Sequence, residues 1–514
     1  MGNGKRTTIN IIAQIFSFIV SLGVSFVLTP YISGKCGKDV YGFVGMAYQV
    51  TSYISVFTVA FNNMLGIFVA TEYHKGKFDE ANKYYSSVFM ADVIVAIVLF
   101  IPMMLISFYM DKILNVPASS MSDIKGLWMF IFITFLINLA FGPWGISTFI
   151  KNRLELAAKR NFESNVIKAI ILVGMFGFMA PKVWYIGFAA FVCAVFLLIT
   201  NKQYMKSLVP EIKFSRKKFD FESMKKLLSV GIWNTVNQLT NILVSGLDLI
   251  ISNKFISSMA MGYISYAQTV PIQMLNLISM ISNAFSPQLT KSYATGDMDL
   301  FEKDVKSSIK VCGFICSIPI LGFIAFGTDF YRLWIPSLTG EEVKTINILS
   351  FLILFHTIFE VYIYPLSTVN SITKKVKIPV LVSFITSILN IIFELVLLET
   401  TDLGVYAIEI ATAALMFLRV FFFIPIYSAK ILKKSWYTFY PPMLRGTVSS
   451  VIILAIYFTI QRNVPVNSWG MLIVVAAGCG IIGYAVNYMI VLGKNERIMV
   501  KNMIRKKLKK KTVR

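Results

Sequence analysis

A row of polar side chains in a long apolar segment gives this sequence its best means of binding a polar solute. Between positions 227 and 252 the polar residues follow at steps of four, three, four and three, which puts them on one face of a helix. They are Asn234, Gln238, Asn241, Ser245 and Asp248. Polar groups are costly inside a bilayer, so the row predicts either a water-filled cavity or hydrogen bonds to a neighbouring helix.

A second row with nearly the same spacing stands at the start of the chain. It consists of Asn10, Gln14, Ser17 and Ser21, with Val24 in the place of the acid. Because two equivalent helices carry equivalent polar faces, we favour a cavity between two halves of the protein. We also assign to this cavity Asn63, which a shift of 220 residues pairs with Asn283.

Ionisable residues inside apolar segments form a second group of candidates. His356 and Glu360 lie one helical turn apart. Such a buried pair either binds a proton or a cation, since imidazole titrates near neutral pH, or is a satisfied structural pair. Asp92 and Asp248 are further acids of this kind. Coupling of transport to Na⁺ or H⁺ through these four residues is a hypothesis, and the absence of coupling stays open.

Arg419 is the only arginine well inside an apolar segment. It predicts either contact with an anion or a structural salt bridge to an acid such as Glu360 or Glu409. Signals of enzymes are missing: the sequence has no Gly-rich phosphate loop and no Ser/His/Asp arrangement, and its two histidines are isolated. Cys312 and Cys316 are interpreted as filler. We therefore expect no catalysis, no metal site and no cofactor.

Fourteen apolar segments must position these side chains. With 56% hydrophobic and 15% charged residues, the composition is that of a membrane protein, and a helix needs roughly 20 residues to span a bilayer. The segments are Thr8–Tyr31, Val40–Val69, Tyr84–Tyr109, Gly126–Ile150, Phe162–Ala180, Val183–Ile199, Leu227–Ser252, Met259–Ser286, Lys306–Phe326, Thr345–Val369, Ile378–Leu398, Val405–Ile426, Leu444–Ile460 and Trp469–Leu492. The predicted fold class is an all-α polytopic membrane protein with about 14 transmembrane helices.

The basic residues predict the orientation of these helices. The loops on the side of both termini hold most of the 49 lysines and arginines, which makes that side cytoplasmic. The opposite loops hold only Lys35, Lys38, Lys112, Lys182, Lys254, Arg332 and Arg462. The net charge of +23 is thus explained by topology and an anionic inner leaflet, and we expect no nucleic-acid partner.

An internal repeat divides the chain. A shift of 220 residues pairs Gly42 with Gly262, Gly76 with Gly296, and Asp79 with Asp299, among other identities. A repeat in a polytopic protein is typical of transporters. We predict a six-helix bundle in residues 1–200, a basic cytoplasmic linker in 201–226, a second six-helix bundle in 227–430, two further helices in 431–492, and a basic tail in 493–514.

The N-terminal third carries motifs that resemble those of a known family. The motifs are Asn10-x-x-x-Gln14, Thr29-Pro30-Tyr31, Gly37-x-x-x-Tyr41-Gly42, Asn62-Asn63, Glu72-Tyr73-His74-Lys75-Gly76-Lys77 and Glu80-Ala81-Asn82-Lys83-Tyr84. They resemble the start of bacterial polysaccharide-biosynthesis flippases, which export O-antigen and capsule repeat units. These flippases belong to the multidrug/oligosaccharidyl-lipid/polysaccharide exporter (MOP) superfamily.

The resemblance implies a MATE-like, V-shaped pair of pseudo-symmetric bundles with two extra C-terminal helices, working by alternating access. It implies a lipid-linked oligosaccharide on undecaprenyl pyrophosphate as the substrate, the bacterial cytoplasmic membrane as the location, and glycan polymerase or export proteins as partners. The family places cations in its cavity for the pyrophosphate. Here these would be Arg419 and, at the cytoplasmic mouth, Arg153.

Three other functions stay open. A cation-coupled multidrug exporter of the same fold would want acids such as Asp92, Asp248 and Glu360 in its cavity. A membrane glycosyl polymerase or ligase would need a large external loop, whereas the longest one here is about 327–344. A non-transporting scaffold would tolerate loss of the polar rows.

Overall fold

The computed structural model describes residues 20, 23, 24, 26–151, 153–283, 285–373, 375–493, 496 and 497, and the regular structure of these residues is entirely helical. The α-helices are α1 (26–36), α2 (Lys38–His74), α3 (Phe78–Ile113), α4 (Met121–Phe141), α5 (Ile146–Ile150), α6 (Leu154–Phe178), α7 (Trp184–Leu208), α8 (Phe221–Asn241), α9 (Asp248–Phe255), α10 (Ser258–Asn283), α11 (Ser286–Ala294), α12 (Met298–Trp334), α13 (Gly340–Ile372), α14 (Lys377–Thr400), α15 (Tyr406–Leu418), α16 (Ile424–Ile431), α17 (Tyr440–Asn463) and α18 (Trp469–Ile490). Two π-helical segments, Ile242–Gly246 and Arg419–Phe423, interrupt the series.

Ten helical segments among the described residues are long and apolar enough to cross a membrane. Each coincides with one of the fourteen predicted spans. The first predicted span lies largely outside the described residues. The second, seventh and eighth are occupied by α2, by α8 with α9, and by α10. The total of fourteen therefore stays a prediction.

The described residues up to Ser265 form one compact unit, and those from Tyr266 onward form a second. The first unit buries a cluster that includes Leu65, Val69 and Tyr85, and the second buries clusters along α12 and α13. Large apolar residues are exposed on many helices, as expected where lipid is the solvent. The domain boundaries drawn from the sequence stay predictions.

The repeat is visible in local geometry. Gly76 and Gly296 both adopt left-handed backbone angles, with φ of 75° and 76°, at equivalent turns after α2 and α11. Residues other than glycine rarely adopt this conformation, which explains why both copies have glycine. Three residues later Asp79 pairs with Lys218 at 2.7 Å, and Asp299 pairs with Lys434 at 2.5 Å. The 220-residue shift thus relates equivalent turns that make equivalent ion pairs.

Two small residues allow α2 and the start of α10 to cross closely within the first unit. A Cβ atom added to Gly42 would lie 3.1 Å from the backbone nitrogen of Gly262, and one added to Gly45 would lie 2.8 Å from Ser265 Oγ. The 220-residue shift pairs Gly42 with Gly262 and Gly45 with Ser265. The two helices therefore touch at equivalent positions, as elements related by a two-fold axis do. Small residues commonly permit such approach in membranes.

The segment between α7 and α8 is fixed to the first unit. Asn82 on α3 donates to the carbonyl oxygen of Glu211 at 3.0 Å and accepts from the backbone of Lys213 at 2.7 Å. Ser86 accepts from the backbone of Ser215. Ser87 accepts from the backbone N–H of Asp220 at 2.9 Å. These bonds satisfy backbone groups that would otherwise need water.

Candidate functional site

Most members of the two polar rows fall where the structure is not described. Asn10, Gln14 and Ser17 lie outside the described residues. Asn234, Gln238 and Asn241 are part of α8, Ser245 is part of the segment Ile242–Gly246, and Asn63 is part of α2, but their side chains lie outside the described part. The cavity that the rows predict stays a prediction.

The seventh predicted span is broken at its row of polar residues. The π-helical segment Ile242–Gly246 separates α8 from α9, and the buried residue Asp248 begins α9. The hydroxyl of Tyr53 on α2 donates a hydrogen bond to the carbonyl oxygen of Gly246. A side chain at Gly246 would collide with Gln49 and Tyr53. Such π segments inside helices are frequent at functional sites.

Asp92 is a fully buried acid on α3. Its Oδ1 accepts a hydrogen bond from Asn62 Nδ2 at 3.0 Å. Within the described part of the chain, its Oδ2 has no hydrogen-bond partner and no lysine or arginine forms an ion pair with it. A buried carboxylate without a counter-charge is costly, and a bound proton or cation would remove that cost. The role of Asp92 in cation coupling stays a prediction.

Arg419, His356 and Glu360 come together in the second unit. The guanidinium of Arg419 interacts electrostatically with both His356 and Glu360 on α13, although no direct ion pair forms between Arg419 and Glu360. Arg419 Nη1 donates to Ser383 Oγ on α14 at 3.0 Å. Both roles of Arg419 expected from the sequence, an anion contact and a structural salt bridge, stay predictions.

Two nitrogens of this group are buried without partners among the described residues. They are Arg419 Nε and His356 Nδ1. Arg419 also begins the second π-helical segment, Arg419–Phe423. An unpaired buried donor is expensive, so a ligand that accepts from it would bind with extra strength. An anionic oxygen has the chemistry to do this.

A buried polar group on α14 and α15 escaped the sequence analysis. Asn390 Nδ2 donates to Glu394 Oε1 and, at 3.0 Å, to Thr412 Oγ1, which in turn lies 3.3 Å from Glu394 Oε1. All three side chains are buried, as is Glu409 nearby on α15. The signal was present in the sequence, because Asn390 and Glu394 stand one helical turn apart in an otherwise apolar segment, as His356 and Glu360 do.

Arg153 lies immediately before α6 and outside the spans. Its Nε donates to Glu155 Oε1 at 2.9 Å. The guanidinium is thus held by a neighbouring acid, half exposed to solvent. Its predicted role in substrate binding stays untested by this geometry.

No three His, Cys, Asp or Glu side chains come together as metal ligands in the part of the chain that the structure describes. Cys312 and Cys316 are both buried and unbridged on α12. Cys316 belongs to an apolar cluster, and the filler role of both cysteines stays a prediction.

Residues 4–292, more than half of the chain, match the family described as "polysaccharide biosynthesis protein". The chain belongs to this family. It is also similar to the uncharacterized membrane protein EpsK of Bacillus subtilis (strain 168), with 26% identity over 501 residues that cover 98% of each chain.

Several solved structures of a flippase and of multidrug transporters are similar to this chain. An inward closed structure of the lipid II flippase MurJ matches with a TM-score of 0.66 at 17% identity, covering 96% of this chain and 99% of MurJ. An inward-facing MATE-family multidrug resistance transporter of the MOP superfamily matches with a TM-score of 0.64 at 13% identity, covering 84% and 99%. A MOP-superfamily transporter from Pyrococcus furiosus matches with a TM-score of 0.57 at 14% identity, covering 83% and 96%. The predicted all-α, MATE-like fold class is confirmed. The chain is a multi-pass membrane protein of a polysaccharide-biosynthesis family with a transporter fold.

Proposed function

We propose that this chain is a flippase that moves a lipid-linked oligosaccharide, carried on undecaprenyl pyrophosphate, from the cytoplasmic to the outer leaflet of the bacterial cytoplasmic membrane. The observation that carries the proposal is the extent of the fold match. The lipid II flippase structure covers 96% of this chain, whereas the MATE structure covers 84%. The flippase structure therefore matches more of this chain than the MATE structure does.

Hydrogen bonds join the last two helices to each other and to α12. Asn487 on α18 donates to Ser317 Oγ on α12 at 2.9 Å and accepts from Ser449 Oγ on α17 at 2.7 Å. Tyr457 on α17 donates to the carbonyl oxygen of Cys479 at 2.6 Å. Polar contacts of this kind join helices inside a bilayer. The fuller coverage of this chain by the lipid II flippase structure supports the flippase over the drug exporter.

The energetics of the task fit a protein of this kind. Carrying an unpaired ion through lipid costs on the order of tens of kcal/mol, so a headgroup with a pyrophosphate needs a polar route. The lipid tail can stay in the bilayer meanwhile. If about two negative charges move outward, an inside-negative potential contributes roughly 4–5 kcal/mol per 100 mV. Transport by alternating access therefore needs no built-in hydrolysis of a nucleotide.

In this proposal Arg419 receives the anionic headgroup. Its Nε is a buried donor without a partner in the described chain, and His356 Nδ1 is a second buried nitrogen without one. The planar guanidinium can bind two oxygens of one phosphate at once, whereas an ammonium group acts as a point charge. Ser383 Oγ accepts from Arg419 Nη1 and so fixes the guanidinium on that side. We treat catalysis as no part of the function.

Coupling to Na⁺ or H⁺ is a second element of the proposal, and the buried group on α14 and α15 supports it. Glu394 and Thr412 bring a carboxylate and a hydroxyl oxygen to 3.3 Å, and Asn390 Nδ2 donates to both oxygens. Hard cations prefer such oxygen ligands, and a single proton on the carboxylate would satisfy the same group. Coupling through this group would add the energy of an ion gradient to that of the membrane potential.

The test is the identity of the lipid-linked material that accumulates when the protein is depleted from its bacterial host. We expect an undecaprenyl-pyrophosphate oligosaccharide to build up in the cytoplasmic leaflet. Wild-type protein should clear it, and Arg419→Gln should slow clearance tenfold or more. Arg445→Gln, which removes the same charge from an exposed position on α17, should behave like wild type.

Other outcomes would decide against the flippase. Depletion without such a lipid but with new sensitivity to cationic dyes would favour the multidrug exporter. An oligosaccharide that reaches the outer leaflet and stays unpolymerised would favour a polymerase or ligase. Equal clearance by Arg419→Gln and wild type would remove Arg419 from the site while leaving the function intact.

A further inference from the structure

Two short cytoplasmic segments combine free positive charge with exposed aromatic rings. The first interfacial segment, residues 216–221, joins α7 to α8, and the second, residues 430–437, joins α16 to α17. Both lie between predicted spans, on the side that the basic residues identify as cytoplasmic. The polypeptide must therefore run along the membrane surface at both places.

The two segments occupy equivalent places in the two repeats. Lys218 in the first pairs with Asp79 at 2.7 Å, and Lys434 in the second pairs with Asp299 at 2.5 Å. The hydrogen bond from Lys218 holds the pKa of Asp79 below its usual value, and that from Lys434 does the same for Asp299. Exposed ion pairs add little stability. Their effect here is to hold each segment next to the neighbouring turn.

Beside each tethered lysine stand charges that no acid neutralises among the described residues. In the first interfacial segment these are Arg216 and Lys217, and in the second Lys430 and Lys433. All four side chains are exposed. A pair of free cations on a fixed backbone is a ready site for an anion at the membrane surface.

Exposed aromatic rings adjoin these charges. Phe219 and Phe221 expose 40% and 74% of their surface, and Trp436 and Tyr437 expose 62% and 57%. Large rings exposed on a polar loop are costly in water, whereas aromatic residues are enriched where a protein meets the headgroup region. The backbone of the first segment is also held by Ser87, which accepts from Asp220 N.

From these observations we infer that the two interfacial segments are binding surfaces for anionic phospholipids of the cytoplasmic leaflet. Arg216 and Lys217, or Lys430 and Lys433, contact the phosphate group, and the neighbouring rings enter the headgroup region. Net charge alone would draw the whole cytoplasmic face to the leaflet. The fixed pairing of charge and ring in both repeats makes these two places specific. Because a transporter of this type moves its two halves, a lipid contact on each half would attach that half to the membrane surface.

The test titrates phosphatidylglycerol and phosphatidylcholine onto the full-length purified protein and counts bound lipids by native mass spectrometry. Wild type should bind phosphatidylglycerol more tightly. An interfacial charge contributes about 1 kcal/mol, or about fivefold, so R216Q/K217Q and K430Q/K433Q should each weaken one class of sites roughly 25-fold. The control K206Q/K303Q removes the same charge from exposed lysines that have no exposed aromatic neighbour, and should change little.

Separate variants test the contribution of the aromatic rings. F219A/F221A and W436A/Y437A should lower binding of both lipids, with melting temperatures near that of wild type because these rings are exposed. An equal loss in K206Q/K303Q, or full binding in the two aromatic variants, would overturn the inference. Because lipid binding is measured without transport, either result leaves the proposed flippase function untouched.

Discussion

Two buried acids inside predicted spans accept hydrogen bonds from neutral donors. Asp92 accepts from the Asn62 amide, and Glu394 accepts from Asn390 and Thr412. Amides and hydroxyls lower the cost of a buried carboxylate only in part. At the level of single residues, these two acids therefore carry our hypothesis that a proton or a cation binds inside the protein.

We expect Glu394→Gln to uncouple transport from its ion. The amide keeps the shape and the hydrogen bonds of the carboxyl group but cannot bind a cation or release a proton. Stimulation of export by an imposed Na⁺ or pH gradient, measured in inverted vesicles, should fall at least tenfold, while the melting temperature should change little. The exposed Glu399, at the end of the same helix, provides the control Glu399→Gln. Unchanged stimulation in Glu394→Gln would show that this group takes no part in coupling.

The helices of this protein are interrupted where their candidate residues stand. One π-helical segment contains Ser245 and ends two residues before Asp248, and the other begins at Arg419. Helix starts are also specified locally. Asp220 precedes α8, and its carboxylate accepts from the backbone N–H of Ser223 at 2.9 Å and from Ser223 Oγ at 2.5 Å. Such a cap satisfies donors that the first turn leaves unpaired.

The cap makes the start of α8 sensitive to acid. The hydrogen bonds from Ser223, first the hydroxyl and then the backbone N–H, hold the pKa of Asp220 below its usual value. A lowered folded-state pKa contributes stability above the unfolded value of about 3.9, and that contribution is lost as the pH falls through the folded value. Hydrogen exchange in the first turn of α8 should therefore speed up below about pH 4, after correction for the intrinsic rate.

The matched variants separate the cap from its charge. Asp220→Asn keeps an acceptor for the cap and should show little of this pH dependence. Asp220→Ala should exchange faster at every pH, because its first turn has no cap. An acid-induced increase in Asp220→Asn equal to that of wild type would assign the effect to another group.

At the level of the whole molecule, one contact joins residues that the repeat assigns to different halves. Asn115, after α3, and Asn253, near the end of α9, form a reciprocal amide clasp within the first unit. The backbone N–H of Asn115 donates to Asn253 Oδ1 at 2.9 Å, and Asn115 Nδ2 donates to the Asn253 carbonyl oxygen at 2.7 Å. The basic residues predict this to be the outer side, and the repeat assigns the two residues to different halves.

We expect a covalent bond at this clasp to stop transport. In a background without the five native cysteines, oxidation of N115C/N253C should block export, and a reductant should restore it. The control pair N115C/K254C uses the adjacent exposed position and should stay active under the same oxidant. Full export by oxidised, cross-linked N115C/N253C would mean that this contact stays closed throughout the cycle.

The membrane class, the positions of the helices and the repeat all follow from local patterns in the sequence. Apolar runs and their 3.6-residue period are local properties, so ten of the predicted spans coincide with helices long and apolar enough to cross a membrane. The need for glycine at Gly76 and Gly296 is equally local, since it arises from a single φ angle in each copy. The family resemblance rested on such local motifs, and the match to residues 4–292 confirms it.

Which polar residues contact one another depends on how the helices pack. Arg419 reaches Ser383 across 36 positions, and Glu394 reaches Thr412 across 18, because particular helix faces pack together. Helical spacing shows which residues share a face but not which neighbour that face meets. His356 and Glu360 were recognised as one pair from their spacing, whereas their proximity to Arg419 follows from the packing of α13 against the second π-helical segment. The helical period of polar residues can be read from one segment, whereas a binding site is formed by residues of several helices.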